Sequence, residues 1–262
     1  MWTSTTLAAI SVLCLSPLAI AQSEADDLLV KLDGPLDNVL LRLESLPLEA
    51  KTLPALRAEF ERRQEKGEKQ KIASTLLRLG DTSDRYFQFL AGYAKEAIDD
   101  RTPLWERFDR EGRWVRGQFS AEFENWCAQH HKNPNEVAAV QSMGYMMVVK
   151  FLAEIGDRRA IDLLRRGLES PYPGVVAYSA EGLGRLQDAA SIPAIEKAVE
   201  RLPAADRIVV ATQLPWYSAP EAYQLMERLD PNPKSREYSM QLIQTQRLSE
   251  LKRIQTRTAL PQ

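Results

Sequence analysis

Between Phe151 and Val199 the chain repeats itself, and this internal repeat constrains the fold more than any other feature of the sequence. Asp157 and Asp188 lie 31 positions apart, and in that register Ile155 aligns with Leu186, Ala160 with Ser191, Ile161 with Ile192 and Leu164 with Ile195. Val176, Ala180, Leu183, Gly184 and Gln187 fall at i, i+4, i+7, i+8 and i+11, so one narrow helical face is small or apolar. Gly182 and Gly184 lower helix propensity there, which fits a second helix packed very close. After Asp188 a new amphipathic segment starts, with Ser191 as a cap, Pro193 in the first turn, and Ile192, Ile195 and Val199 as its stripe. A third copy of the helix ending reads Ile72 to Asp81, and a further pair is expected at Ile208 to Leu214 and Pro220 to Leu229. The expected fold class is therefore all-α, a stack of antiparallel helix pairs.

The pattern Val175-Val176-x-x-x-Ala180-Glu181-x-Leu183-Gly184-x-Leu186-x-Asp188-x-x-x-Ile192-Pro193-Ala194-Ile195 resembles the short HEAT-like repeat, also called the phycobilisome-lyase-like repeat. The resemblance covers Gly156 to Val199 well and Leu53 to Asp81 fairly, and Gln187 stands where that family usually has glycine. It implies a right-handed α-solenoid whose concave face, lined by the second helix of each pair, binds other proteins. Such repeats occur both in bilin lyases and in scaffolds without enzymatic activity, and no chromophore-handling feature is visible in this chain. On the second helix of the best copy, Tyr178, Glu181 and Arg185 lie at i, i+3 and i+7 on that concave side, and Tyr145 and Lys150 are expected to continue it on the preceding repeat.

Solenoids need caps, because a terminal repeat has one neighbour. Residues 22–52 supply one, with Leu36, Val39, Leu40 and Leu43 as its stripe, ahead of repeats expected over 53–99 and 135–233. Residues 234–262 supply the other, a long helix with Tyr238, Leu242, Leu248, Leu251 and Ile254 inward and Arg247, Lys252, Arg253 and Arg257 on a solvated outer face. Met1 to Ala21 carries no charged side chain and ends with Ala19 and Ala21 before Gln22, the pattern of a secretory signal cleaved near Ala21-Gln22. Pro17 and the short apolar run argue against a membrane anchor. The expected destination is the periplasm or the extracellular space, with no membrane span in the mature chain. One cysteine, Cys127, would remain, so no intramolecular disulfide could form. With 34 Lys+Arg against 36 Asp+Glu, a formal charge of -2 gives no pull toward nucleic acid.

Residues 100–134 break the period and concentrate aromatics, Trp105, Phe108, Trp114, Phe119, Phe123 and Trp126, between Arg101, Arg107, Arg110, Arg113 and Arg116. Insertions in repeat proteins often emerge on the binding face, and Trp with Arg makes a recognition surface with little entropy lost. Trp105, Arg113 and Trp114 are the candidate binding residues of the insertion; Phe119, Phe123 and Trp126, spaced as one helical face, read instead as a local core. Glu124, Cys127 and His131 share a helical face, but their spacing is no zinc motif, and Asn133-Pro134 marks a helix end that favours imidazoles through the dipole. No G-x-S-x-G, H-E-x-x-H or phosphate-binding glycine loop occurs. The expectation is a non-enzymatic scaffold without cofactor or metal that binds a protein partner on its concave face, with self-association allowed. The alternative is an exported ligand- or glycan-binding protein or enzyme whose site is the 100–134 insertion.

Overall fold

The computed structural model describes residues 24, 27–33, 36–46, 51–108 and 114–258, so the segment expected to be a leader, Met1 to Ala21, lies outside the described residues. Among the described residues, ten α-helices form two layers. The inner layer contains α1 (Leu36–Ser45), α3 (Lys66–Arg78), α7 (Tyr145–Glu154), α9 (Pro173–Arg185) and α11 (Ala204–Ala211), each packed on the next. The outer layer contains α2 (Thr52–Arg62), α4 (Asp84–Asp99), α8 (Ile161–Gly167), α10 (Ile192–Glu200) and α12 (Pro220–Leu229). This is the α-solenoid of antiparallel pairs expected from the repeat. Proline opens several helices, at Pro134, Pro173, Pro193 and Pro220, where its missing N–H would have no intrahelical partner in any case.

Two apolar cores run through the stack. One spans α1 to α4 and takes in Leu36, Val39, Leu40 and Leu43; the other spans α4 and α7 to α12, and Leu77 and Ile155 pack against both. Close approach of the layers depends on glycine. A Cβ on Gly182 would stand 2.7 Å from Leu164 Cδ1 and 3.0 Å from the Ala153 Cα, and one on Gly184 would stand 2.8 Å from Trp216 Cβ. Both glycines are therefore packing residues, as their place in the pattern suggested.

Three of the repeat turns, α3–α4, α7–α8 and α9–α10, reverse through one residue of positive φ: Gly80 at 93°, Gly156 at 64° and Gln187 at 56°. Gln187 has a Cβ and so lacks the freedom of glycine at this φ, and its side chain supplies the compensation. Nε2 donates to the Gly184 carbonyl at 2.7 Å and to the Trp216 carbonyl at 2.8 Å, while Oε1 accepts from the Ser218 N–H at 3.0 Å. The left-handed conformation costs about 1–2 kcal/mol, and three hydrogen bonds at about 0.5–1.5 kcal/mol each outweigh it. Gln187→Gly is accordingly expected to destabilise the chain by about 1–2 kcal/mol, read as a lower midpoint in urea unfolding, although it restores the residue usual at a turn of this kind. A stabilised Gln187→Gly variant would contradict this account of the turn.

The insertion between α4 and α7 is not purely helical. Glu106–Phe108 (β1) and Trp114–Phe119 (β2) form a two-stranded antiparallel ribbon, followed by α5 (Ala121–Gln129) and α6 (Pro134–Ala139). Phe119 thus ends a strand instead of sharing a helix with Phe123 and Trp126. Alternation of Trp114, Arg116 and Gln118 with Val115, Gly117 and Phe119 is the period-two signal that the helical reading passed over. A π-turn, Val140–Gly144, joins α6 to α7 and turns Gln141 inward, where its Nε2 donates to the Pro103 carbonyl at 3.0 Å and its Oε1 accepts from the Trp105 N–H at 3.2 Å.

The last helix, α13 (Pro233–Thr258), has 26 residues and crosses the inner layer. Its orientation differs from the sequence expectation. Tyr238, Leu242, Leu248 and Leu251 are exposed, whereas Ser239 and Ile243 are buried and Arg247 and Glu250 face the solenoid. The Ile254 side chain lies outside the described residues. The apolar residues of α13 do not form one stripe, so hydrophobicity alone misassigns its face; the Glu250 ion pair with Arg185 and the Arg247 bond to the Trp216 carbonyl mark the face turned to the solenoid.

Candidate functional site on the concave face

The inner helices present charged side chains in alternating sign. Glu44 of α1, buried, accepts from Thr75 Oγ1 at 2.8 Å and from Arg78 Nη2 at 2.5 Å. Arg78 also reaches Glu154 of α7, Nη1 to Oε2, at 3.2 Å. One turn back on α7, Lys150 Nζ stands 3.8 Å from Glu154 Oε1 and 5.9 Å from the Tyr178 ring centroid on α9. Glu181 and Arg185 follow on α9, joined by an Arg185 Nε to Glu181 Oε1 bond of 2.8 Å. Arg185 Nη1 donates to Glu250 of α13, and its guanidinium lies 3.7 Å from the centroid of the Trp216 ring. This charge track crosses four inner helices and ends under α13.

Lys150, Tyr178, Glu181 and Arg185 come together as the sequence proposed, and they line a cleft of about 340 Å³ whose other wall is Thr212, Gln213 and the face of α13 that includes Tyr238 and Leu242. Their spacing is the helix period at work: i, i+3 and i+7 on α9 place three side chains in one row, and the close packing of α7 on α9 sets Lys150 beside it. Burial pushes the Glu181 carboxyl above the usual carboxylate range, and Arg185 offsets this only in part. Burial likewise raises the Tyr178 phenol, with the Glu181 and Glu154 charges adding to it.

Tyr145 does not join them. It lies at the start of α7 beside Tyr172, with ring centroids 5.3 Å apart, and its hydroxyl is directed at the Asp100 carboxylate. Tyr172 donates to the same carboxylate at 2.8 Å, and Gln141 Nε2 donates to the Tyr172 hydroxyl at 3.3 Å. Burial works against ionisation of Asp100, but the Thr102 N–H and the hydroxyls of Tyr145, Thr102 and Tyr172 hold its carboxyl below the usual range. Tyr145 therefore anchors the insertion to the solenoid.

In the insertion, Trp105 is half-buried, edge-on to Phe119 at 6.3 Å, over a satellite core of Phe123, Cys127 and Ala138. It is a packing residue, not the exposed ring the sequence suggested. Arg113 and the side chain of Trp114 lie outside the described residues. His130 caps α5 and stacks on Trp126 at 4.3 Å, His131 takes a positive φ of 52°, and the buried Cys127 thiol is pushed up by desolvation. Among the described residues no three His, Cys, Asp or Glu side chains are grouped to hold a metal ion, and no helix is long and apolar enough to cross a membrane.

Sequence reasoning missed Glu44, Arg78, Glu154, Trp216, Arg247 and Glu250. An acidic residue on each inner helix was the available signal, but 36 acidic residues in the chain make such a choice ambiguous without the packing.

The PBS lyase HEAT-like repeat matches residues 145–170 and 175–201, the two units built from α7 with α8 and from α9 with α10, so the helix that carries Tyr178, Glu181 and Arg185 is the first of its unit and not the second, as the sequence pattern suggests. The chain thus carries two adjacent HEAT-like repeats of this family, inside a longer helical-repeat fold. No curated protein and no solved structure matches the chain.

Proposed function

We propose that the protein is a non-enzymatic interaction scaffold, exported from the cytoplasm, that grips a protein partner along its concave face. The observation that carries this reading is the cleft between α7, α9 and α13, where Lys150, Glu154, Tyr178 and Glu181 supply charge of both signs beside an aromatic ring. A small-molecule site would enclose its ligand within apolar walls with a few convergent polar groups. This cleft is open along the helices and continues as the charge track toward α1, the geometry of a surface that accepts an extended segment or a helix.

Capture from the organism's own envelope or secreted fraction tests the reading. Lys150→Gln combined with Thr212→Arg removes one charge and fills one wall, both at partly exposed positions, without setting a new carboxylate against Glu154. The expected result is at least a tenfold loss of the captured partner with an unchanged melting temperature; undiminished capture by the folded variant would remove the cleft from consideration. Export rests on the leader sequence alone. Amino-terminal sequencing of the protein recovered from its native host is expected to start at Gln22, and recovery of an intact Met1 in the cytoplasm would overturn it.

A further inference from the structure

Helix α13 is held to the concave face in an unusual way for a terminal cap. Of its side chains from Pro233 through Leu251, only Ser239 and Ile243 are buried. Tyr238, Met240, Leu242, Leu248 and Leu251 stay in water, at 39% to 68% exposure. The remaining hold is polar: Arg247 donates to the Trp216 carbonyl and lies 5.7 Å from the Trp216 ring centroid, and Glu250 accepts from Arg185. The receiving side is far better built. Arg185 and Glu181 are about nine-tenths buried, and Trp216 is fully covered, with an indole Nε1 that has no acceptor while α13 is seated. A well-formed seat therefore carries a thinly anchored helix.

Ser239, Ile243, Arg247 and Glu250 fall at i, i+4, i+8 and i+11, one face of a helix. The groove meets this face in order: Ser239 and Ile243 line the cleft, Arg247 takes the Trp216 carbonyl and ring, and Glu250 takes Arg185. We propose that α13 is an exchangeable occupant of a helix-binding groove, and that the groove's partner is an amphipathic helix of another protein presenting small, aliphatic, basic and acidic side chains in that spacing. The proposal rests on the scaffold reading and names its ligand class. The chain's own helix seated on the groove, with charges that complement it, is the argument for a helical occupant. An intramolecular helix is present at high effective concentration, so the weak anchorage is what allows a foreign helix to replace it.

The test uses the full chain and a fluorescein-labelled synthetic peptide of residues 233–258 as the probe, read by anisotropy. Charge reversal on α13 alone, Arg247→Glu with Glu250→Arg, leaves the solenoid untouched and unlatches the helix. The expected result is at least tenfold tighter binding of the wild-type peptide to this variant than to the wild-type chain, and at least tenfold weaker binding of a peptide carrying the same two reversals. Equal binding to both chains, or binding to neither, overturns the proposal. A second measurement needs no variant: hydrogen exchange of the wild-type chain is expected to be at least tenfold faster in α13 than in α9, and equal protection of the two helices overturns it as well. Failure of the two readings can be told apart. If the peptide seats in the unlatched chain while no partner is captured, the exchangeable seat stands and the scaffold reading fails. If a partner is captured equally by wild-type and unlatched chains, the scaffold reading stands and exchange fails.

Discussion

Replacing Gly182 by alanine is expected to destabilise the protein by about 1–2 kcal/mol, while the same change at Gly92 is expected to stabilise it by about 0.5–1 kcal/mol. Both glycines lie inside helices, Gly182 in α9 and Gly92 in α4, so both substitutions gain the same helix propensity of about 1 kcal/mol. The difference is what a Cβ meets. At Gly92 it meets nothing within 4 Å. At Gly182 it meets Leu164 Cδ1 at 2.7 Å, Ala153 Cβ at 2.9 Å and the Ala153 Cα at 3.0 Å, and the last of these is backbone that cannot rotate away. Relief requires α9 to move off α7, which reduces packing across the two HEAT-like repeats. Overpacking of this kind costs about 1–3 kcal/mol, or more where backbone must shift. Chemical unfolding of the two variants beside the wild type checks the pair, and a shared sign would show that the helices are not in the contact described.

Arg185→Ala is expected to cost about 3–5 kcal/mol, the range for removing one partner of a buried ion pair. Arg185 connects three elements, bonding Glu181 on its own helix and Glu250 on α13 and stacking on Trp216. Its removal leaves Glu181 buried without its cation, in a site that already pushes the carboxyl above its usual range. Arg185→Ala with Glu181→Leu is expected to recover most of the loss, because the stranded charge goes with it. Arg185→Lys is expected to recover little, since an ammonium lacks the planar fork that bonds two carboxylates and stacks on the indole. Thermal unfolding of the three variants separates these outcomes, and an Arg185→Ala variant as stable as wild type would mean the residue is a free surface group. Arg185 is therefore a structural member of the groove first and a contact residue only through what displaces Glu250.

The repeat grammar was legible because local and global signals agree in it. Apolar spacing, the glycines at 182 and 184, and the prolines that open helices all point to the same antiparallel pairs, and α8 to α12 follow them. The row of Tyr178, Glu181 and Arg185 was readable for the same reason, since helical spacing alone puts those side chains on one side. What failed was any feature set by contacts distant in sequence. Tyr145 has groove spacing, yet Asp100, 45 positions upstream, claims its hydroxyl. Trp105 sits among charges in the sequence but packs on Phe119 across a hairpin that the helical pattern concealed. The face of α13 was misjudged because Glu250 answers to Arg185, 65 residues away, and that ion pair outweighs a scattered set of leucines. Gln187, the departure from the repeat pattern, proved to be a clamp onto the following turn.

In the proposed function a partner is bound on the concave face and not in the insertion. Hydroxyl-radical footprinting of the chain, alone and with its captured partner, tests this most directly, because aromatic side chains on both surfaces report their own solvent access. Tyr178 is expected to lose reactivity on binding while Trp105, Trp114 and Trp126 keep theirs. Protection of the insertion's tryptophans with Tyr178 unchanged would contradict it and move the site to residues 100–134.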